Sequence, residues 1–166
     1  AGLGDIVVNT LGLTGQPGDL TEWSAMVDRM NEPKESVSIA VVGKYVEYPD
    51  SYISVREALS HAGLDHAKDI ELQWVHSEDI EKDGPDAHLS DVCGIVVPGG
   101  FGPRGVEGMI ETVRYAREHK VPYLGLCLGL QVMVIEWARN VLGIQDANSE
   151  ELVPETGNPV VHIMPD

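Results

Sequence analysis

Val121–Trp137 reads VPYLGLCLGLQVMVIEW. Val121 to Leu126 is an apolar run of strand formers. From Leu130 onward, Leu130, Val134 and Trp137 recur at helical spacing, with Met133 and Ala138 beside them. A buried strand is therefore expected to break directly into a helix, with Cys127 at the break. Gly125 and Gly129 frame it as G-x-C-x-G, the thiol version of a nucleophile elbow, where glycine permits a turn that a side chain would obstruct. Such a turn presents the sulfur at the C-terminal edge of a sheet and at a helix N-terminus, where free N–H groups and the helix dipole favour an anion. The backbone N–H of Leu128 is then available to an oxyanion. The same residues also suit a buried cysteine in a glycine-bearing turn, so this stretch alone leaves both readings open.

Working outward, the chain alternates strand and helix patterns. Val37–Val42 (VSIAVV) reads as a strand followed by Gly43-Lys44-Tyr45, and Ser51–Ala62 as an amphipathic helix stopped by Gly63. In that helix Ile53, Val55, Ala58 and Leu59 are expected to face inward. Ile70–Val75 reads as a second strand, Ser77–Ile80 as a short helix or turn, and Glu81–Ser90 as a polar loop. Val92–Val97 is continuously apolar, the mark of a central strand, and ends in Pro98-Gly99-Gly100-Phe101-Gly102. Val106 to His119 reads as a helix, and a last strand is expected at Val160–Met164. Alternation of this kind predicts an α/β fold: an open, mainly parallel sheet with helices on both faces. Ligands of such sheets bind beyond the C-terminal strand ends. Three glycine- or lysine-bearing turns fall there: Gly43-Lys44, Gly99-Gly100 and Gly125–Gly129.

The first 36 residues read differently. Gly4–Leu11 suggests a short helix followed by a turn. Leu20, Trp23, Met26, Val27 and Met30 form an apolar stripe with Asp19 or Thr21 as cap, and NEPKES (Asn31–Ser36) reads as a linker. An apolar stripe with nothing before it needs a partner surface, so 1–36 reads as the end of another unit and 37–166 as the domain proper.

The 166 residues carry a net charge of −16 and only five lysines, which argues against binding nucleic acid or anionic membranes and suggests a saline habitat. Two cysteines make no disulfide framework, and no apolar run spans a membrane, so a reducing cytoplasm is the expected location. Cys93 reads as an inert thiol buried mid-strand, and Lys44 as an ordinary surface lysine. No His or Cys spacing suggests a metal site.

PGGFGPRGVEG (Pro98–Gly108) and PYLGLCLGLQ (Pro122–Gln131) together resemble the class I, triad-type glutamine amidotransferase domain of the CTP synthase family, a flavodoxin-like fold. VGKYVEYPDSYISVREAL (Val42–Leu59) and ARNVLGIQDANSEE (Ala138–Glu151) extend the likeness, which runs from about Val37 to the last residue. The segment before Val37 resembles the end of the synthetase (amidoligase) domain and its linker.

The resemblance implies that Cys127 attacks the side-chain amide of L-glutamine, forming a glutamyl thioester and releasing ammonia for the ATP-dependent amination of UTP to CTP. It implies Gly100 and Leu128 as oxyanion donors that also line the glutamine site, and Gln131 and Glu151 as glutamine contacts. Arg104, Gly105 and Glu107 would lie on a lid that responds to GTP. ATP, Mg2+ and UTP would bind in the synthetase domain, with no cofactor in this chain, and the parent protein would be a homotetramer. One departure matters: the family completes its triad with a His and a Glu in an H-P-E-type segment, and none occurs here. The chain is therefore expected to be an internal piece lacking the C-terminal part of its domain, without glutaminase activity by itself. Another class I amidotransferase, a γ-glutamyl cysteine hydrolase, and a non-catalytic module of the same fold are the alternatives.

Overall fold

A computed structural model of the chain describes residues 2–14, 18–48 and 50–164. It has two compact units, Ala1–Pro33 and Lys34–Asp166. The first holds helices α1 (Leu3–Leu11) and α2 (Thr21–Asn31). Asp19 Oδ1 accepts the Thr21 N–H at 2.9 Å, and the Thr21 hydroxyl, then that N–H, hold the Asp19 carboxyl below its ordinary value. Trp23 and Val27 of the apolar stripe are exposed. The turn expected after α1 falls on Gly15–Pro17, outside the described residues.

The second unit runs β1 (Glu35–Gly43), α3 (Ile53–Asp65), β2 (Lys68–His76), α4 (Ser77–Asp83), α5 (Asp86–Leu89), β3 (Gly94–Val97), α6 (Val106–His119), β4 (Tyr123–Gly125), α7 (Leu128–Asn140), β5 (Ala147–Ser149) and β6 (Asn158–Val161). Four strands form a parallel sheet in the order β2-β1-β3-β4, with Val41 between Trp74 and Val96, and Val97 opposite Gly125. The chain moves one way from β1 to β2 and the other way from β3 to β4. Right-handed crossovers then place α3 and α6 on opposite faces. The direction reverses between β1 and β3, which opens a crevice beyond their C-terminal ends. Gly43-Lys44 and Pro98–Gly102 both emerge into it. The core joins Ala40, Val42, Ile95 and Val97 of the sheet to Met109, Ile110 and Val113 of α6 and to Val132 and Ile135 of α7.

Several elements depart from the sequence expectation for identifiable reasons. Strand β1 starts at Glu35, two residues early, because its pairing with Lys68–His76 continues back to that residue. Gly63 does not stop α3. It is buried inside the helix, where a Cβ would meet the Ile70 side chain at 2.6 Å and the Lys68 carbonyl at 2.8 Å. Ile53 and Ala58 are exposed; only Val55 and Leu59 are half-buried on that helix face. The polar stretch after Ile80 is the end of α4 followed by α5, anchored by buried Ile80 and Leu89. Cys93 precedes β3 rather than lying within it, and is exposed.

The helix after Cys127 forms as expected, but its buried residues are Leu128, Val132, Ile135 and Ala138. The stripe that marked it in the sequence, Leu130, Val134 and Trp137, is exposed, as is Leu124 on the edge strand β4. The buried face also holds Glu136, 1% exposed, whose carboxylate accepts from Arg117 Nη2 at 2.8 Å and Asn140 Nδ2 at 3.2 Å. A carboxylate so deeply placed is retained only with partners of this kind. No helix among the described residues is long and apolar enough to cross a membrane.

Candidate active site

Cys127 sits between β4 and α7 with φ 54° and ψ −107°, outside the regions that non-glycine residues ordinarily occupy. Holding it there costs on the order of 1–3 kcal/mol, which the surrounding contacts must offset. Those contacts are specific. The Leu126 N–H donates to the Val97 carbonyl at 2.9 Å, and the Gly129 N–H to the Leu126 carbonyl at 3.0 Å. The Cys127 carbonyl accepts from Leu130 and Gln131 at 3.0 and 3.2 Å. The half-buried Tyr123 donates its hydroxyl to the Gly129 carbonyl at 2.8 Å, and desolvation pushes that phenol well above its ordinary pKa. Both framing glycines are required by space. A Cβ on Gly125 would lie 2.4 Å from the Gly129 carbonyl, and one on Gly129 would lie 2.0 Å from the Val97 oxygen. The Cys127 side chain is exposed. Leu128 opens α7, and its N–H has no hydrogen bond among the described residues.

The glycine loop after β3 lies against this elbow. A Cβ built on Gly99 would sit 3.5 Å from Cys127 Cβ and 3.8 Å from its sulfur. One on Gly100 would sit 3.4 Å from Leu128 Cδ2 and 3.2 Å from Lys44 Cδ. The structure thus brings Gly100, from the loop after β3, against Cys127 and Leu128 of the elbow. The Gly100 N–H, like that of Leu128, has no hydrogen bond among the described residues.

Lys44 is not a surface lysine. It is 2% exposed, and its ammonium donates to the carbonyl of Phe101 at 3.1 Å and to that of Gly102. Burial, then the nearby Arg104 guanidinium, lower its pKa, while Glu151, Glu81 and Glu78 oppose the shift. Glu151 is thus within electrostatic reach of the Lys44 ammonium. Glu151 itself is exposed, in the turn after β5, with its N–H on Ser149 Oγ at 3.2 Å. Gln131 is half-buried four residues after Cys127, one helical turn further along α7.

Arg104, Gly105 and Glu107 are all anchored. Arg104 pairs with Glu78 at 2.6 Å and donates to the Lys44 carbonyl at 3.3 Å. Gly105 has φ 69° and is packed so closely that a Cβ would lie 2.2 Å from Ser77 Oγ. Glu107, in the first turn of α6, pairs with Arg139 at 2.9 Å. Of the histidines, His76 is near Glu78, His88 near Asp83, and His162 near Glu150, and His119 contacts the Tyr115 carbonyl. No hydrogen bond to the Cys127 side chain occurs among the described residues. They also contain no cluster of three or more potential metal ligands.

Sequence reasoning missed Lys44, Tyr45 and Tyr52 as supports of the glycine loop. The available signal was the cluster itself: two aromatics and a lysine within nine positions of a strand end, in a chain whose other glycine-rich loop offers few side chains to hold it.

A family model described as glutamine amidotransferase class-I matches residues 47–160. The chain is 54% identical over 165 residues to a CTP synthase of Dehalococcoides mccartyi, covering 99% of this chain and 30% of that relative. It is 55% identical to a CTP synthase of Chloroflexus aurantiacus, with the same coverage. Among solved structures it resembles the Trypanosoma brucei CTPS glutaminase domain with bound acivicin, at 43% identity and TM-score 0.72, over 77% of this chain and 50% of that one. The chain therefore spans about 30% of the length of the curated relatives it matches.

Proposed function

Because the chain belongs to the class I glutamine amidotransferase family, we propose that it is the glutaminase part of a CTP synthase. The observation that carries this reading is the exposed Cys127 sulfur at a strained elbow, beside the two unpaired amides of Gly100 and Leu128. The sulfur attacks the side-chain amide carbon of L-glutamine, forming a C–S bond. The carbonyl oxygen becomes an oxyanion and accepts hydrogen bonds from Gly100 and Leu128. Collapse breaks the C–N bond, and the nitrogen leaves as ammonia once protonated. Water then cleaves the thioester to glutamate and restores the thiol. Gln131 and Glu151 hold the amino-acid end of glutamine, the Glu151 carboxylate suiting its ammonium group.

Activity of the whole protein is part of the same proposal. Ammonia from Cys127 aminates UTP at a synthetase domain, at the expense of ATP with Mg2+, in a cytoplasmic homotetramer. GTP acts through the segment of Arg104, Gly105 and Glu107. The metal and ATP are assigned to that other domain. The general base of the triad is assigned to an H-P-E-type segment of the longer protein, and the 166-residue chain alone is expected to turn over no glutamine.

Acivicin tests the nucleophile directly. Mass spectrometry after incubation should show one adduct, on Cys127, suppressed by excess glutamine and absent in Cys127→Ala. Cys93 is also exposed and should stay unmodified. Equal labelling of both thiols without glutamine protection would refute the site, and no labelling of the folded chain would favour a non-catalytic module.

Lys44 gives a second expectation. Lys44→Met leaves the Phe101 and Gly102 carbonyls without their donor and frees the loop that carries Gly100. In the full-length protein, kcat for glutamine hydrolysis should fall about 10²-fold, since an ångström of misplacement costs that much. KM should change little. A kcat within twofold of the unsubstituted enzyme would contradict a role for Lys44 in holding the loop.

A further inference from the structure

Gly99 and Gly100 form a two-glycine segment with almost no steric preference for one peptide orientation over its reverse. Their peptide bond is planar and trans, the described residues containing no cis peptide. A trans peptide points its C=O and its N–H in opposite directions. Whatever grips the Gly99 carbonyl therefore sets the direction of the Gly100 N–H. A reversed peptide would present a carbonyl oxygen where the oxyanion needs a donor.

The Tyr52 hydroxyl lies 3.4 Å from the Gly99 carbonyl and donates to it. Its oxygen in turn accepts the Tyr45 N–H at 3.3 Å. The Tyr45 hydroxyl accepts the Phe101 N–H at 3.3 Å, so the next peptide is held by the same pair. The Tyr52 ring cannot swing freely. It is 6% exposed and stacks on Trp74 with centroids 6.4 Å apart and planes 9° apart. It also fills the space over Gly43, where a Cβ would meet the Tyr52 hydroxyl at 2.8 Å and the ring at 2.9–3.0 Å. Burial raises the phenol pKa, so the hydroxyl keeps its proton as a donor through the neutral range.

We propose that the Tyr52 hydroxyl, backed by the Tyr45 amide, is the positioning group that keeps the Gly99–Gly100 peptide turned with the Gly100 N–H toward the Cys127 sulfur. Tyr45 secures the adjoining Phe101 peptide. Neither residue touches substrate. Each acts through the loop, and the inference rests on the glutaminase reading above.

The test is Tyr52→Phe and Tyr45→Phe in the full-length protein, which keep the rings and remove only the hydroxyls. Tyr52→Phe should lower kcat for glutamine hydrolysis about tenfold or more, toward the loss seen when an oxyanion donor is removed. KM should stay within about twofold, because the peptide serves the transition state rather than ground-state binding. Tyr45→Phe should show a smaller loss of the same kind. Alkylation of Cys127 by iodoacetamide, which needs no oxyanion donor, should keep its rate, and the thermal midpoint should not move. An unchanged kcat would overturn the inference. So would a loss matched by a lower midpoint and slower alkylation, since that pattern marks a general packing defect. Absence of glutamine hydrolysis in the unsubstituted protein would instead show the glutaminase reading itself to be wrong, and this inference would fall with it.

Discussion

Gly129→Ala is expected to destabilise the second unit by about 3–5 kcal/mol. The added methyl would sit 2.0 Å from the Val97 carbonyl oxygen and 2.9 Å from its carbon, both rigid backbone. Relief requires α7 to move away from β3 by more than an ångström. That movement strains the Leu126–Val97 bond and the Tyr123–Gly129 bond, both now 2.8–2.9 Å long. It also lifts Leu128 and Val132 from the core. For a unit of this size the thermal midpoint should fall by roughly 10–20 °C. Gly18→Ala, where a Cβ meets nothing within 4 Å, should leave it unmoved. A shift under about 2 °C for Gly129→Ala would show that the elbow is not packed as described.

The largest effect on activity is expected at Cys127. Cys127→Ala in the full-length protein should lower glutamine-dependent turnover by about 10⁴-fold or more, the scale on which loss of a nucleophile is felt. Reaction with free ammonia should continue, because that substrate bypasses the thioester. The backbone makes a further distinction. Residue 127 holds φ 54°, where glycine is unstrained and alanine is not. Cys127→Gly should therefore be as inactive as Cys127→Ala yet melt higher, by about 1 kcal/mol of added stability. Equal midpoints for the two variants would mean the turn stores no strain. Residual glutamine turnover near the unsubstituted level would mean another group carries the reaction.

How much of this was legible in the sequence depended on whether a residue's role is local. The elbow was readable because its glycines, its cysteine and the apolar runs on either side are contiguous. Helix α6 was readable end to end for the same reason. The glycine loop announced itself by composition, and its closeness to the elbow followed from both being ends of parallel strands. Lys44 was not readable, because a lone lysine after a strand looks solvated until the carbonyls it grips are known. Tyr45 and Tyr52 were hidden similarly: their partners, Gly99 and Phe101, lie about fifty residues away.

Helix α7 shows a subtler limit. Its sequence is apolar on nearly every side, so helical spacing identified the element but not the buried face. Gly63 misled in the opposite direction, since glycine ends helices often but here serves close contact with β2. Strand β5 escaped notice because three residues of Ala-Asn-Ser carry little strand preference, whereas β6, expected at Val160–Met164, runs Asn158–Val161. Cys93 shows the cost of a two-residue boundary error, which converted an exposed thiol into a buried one.

The most direct test is a crystal structure of the full-length protein after reaction with 6-diazo-5-oxo-norleucine, which leaves a ketone attached to the attacking sulfur. The adduct should be on Cys127, with its carbonyl oxygen about 2.7–3.1 Å from both the Gly100 and Leu128 nitrogens. A ketone oxygen turned to solvent, or a Gly99–Gly100 peptide presenting its carbonyl to the adduct, would contradict the account.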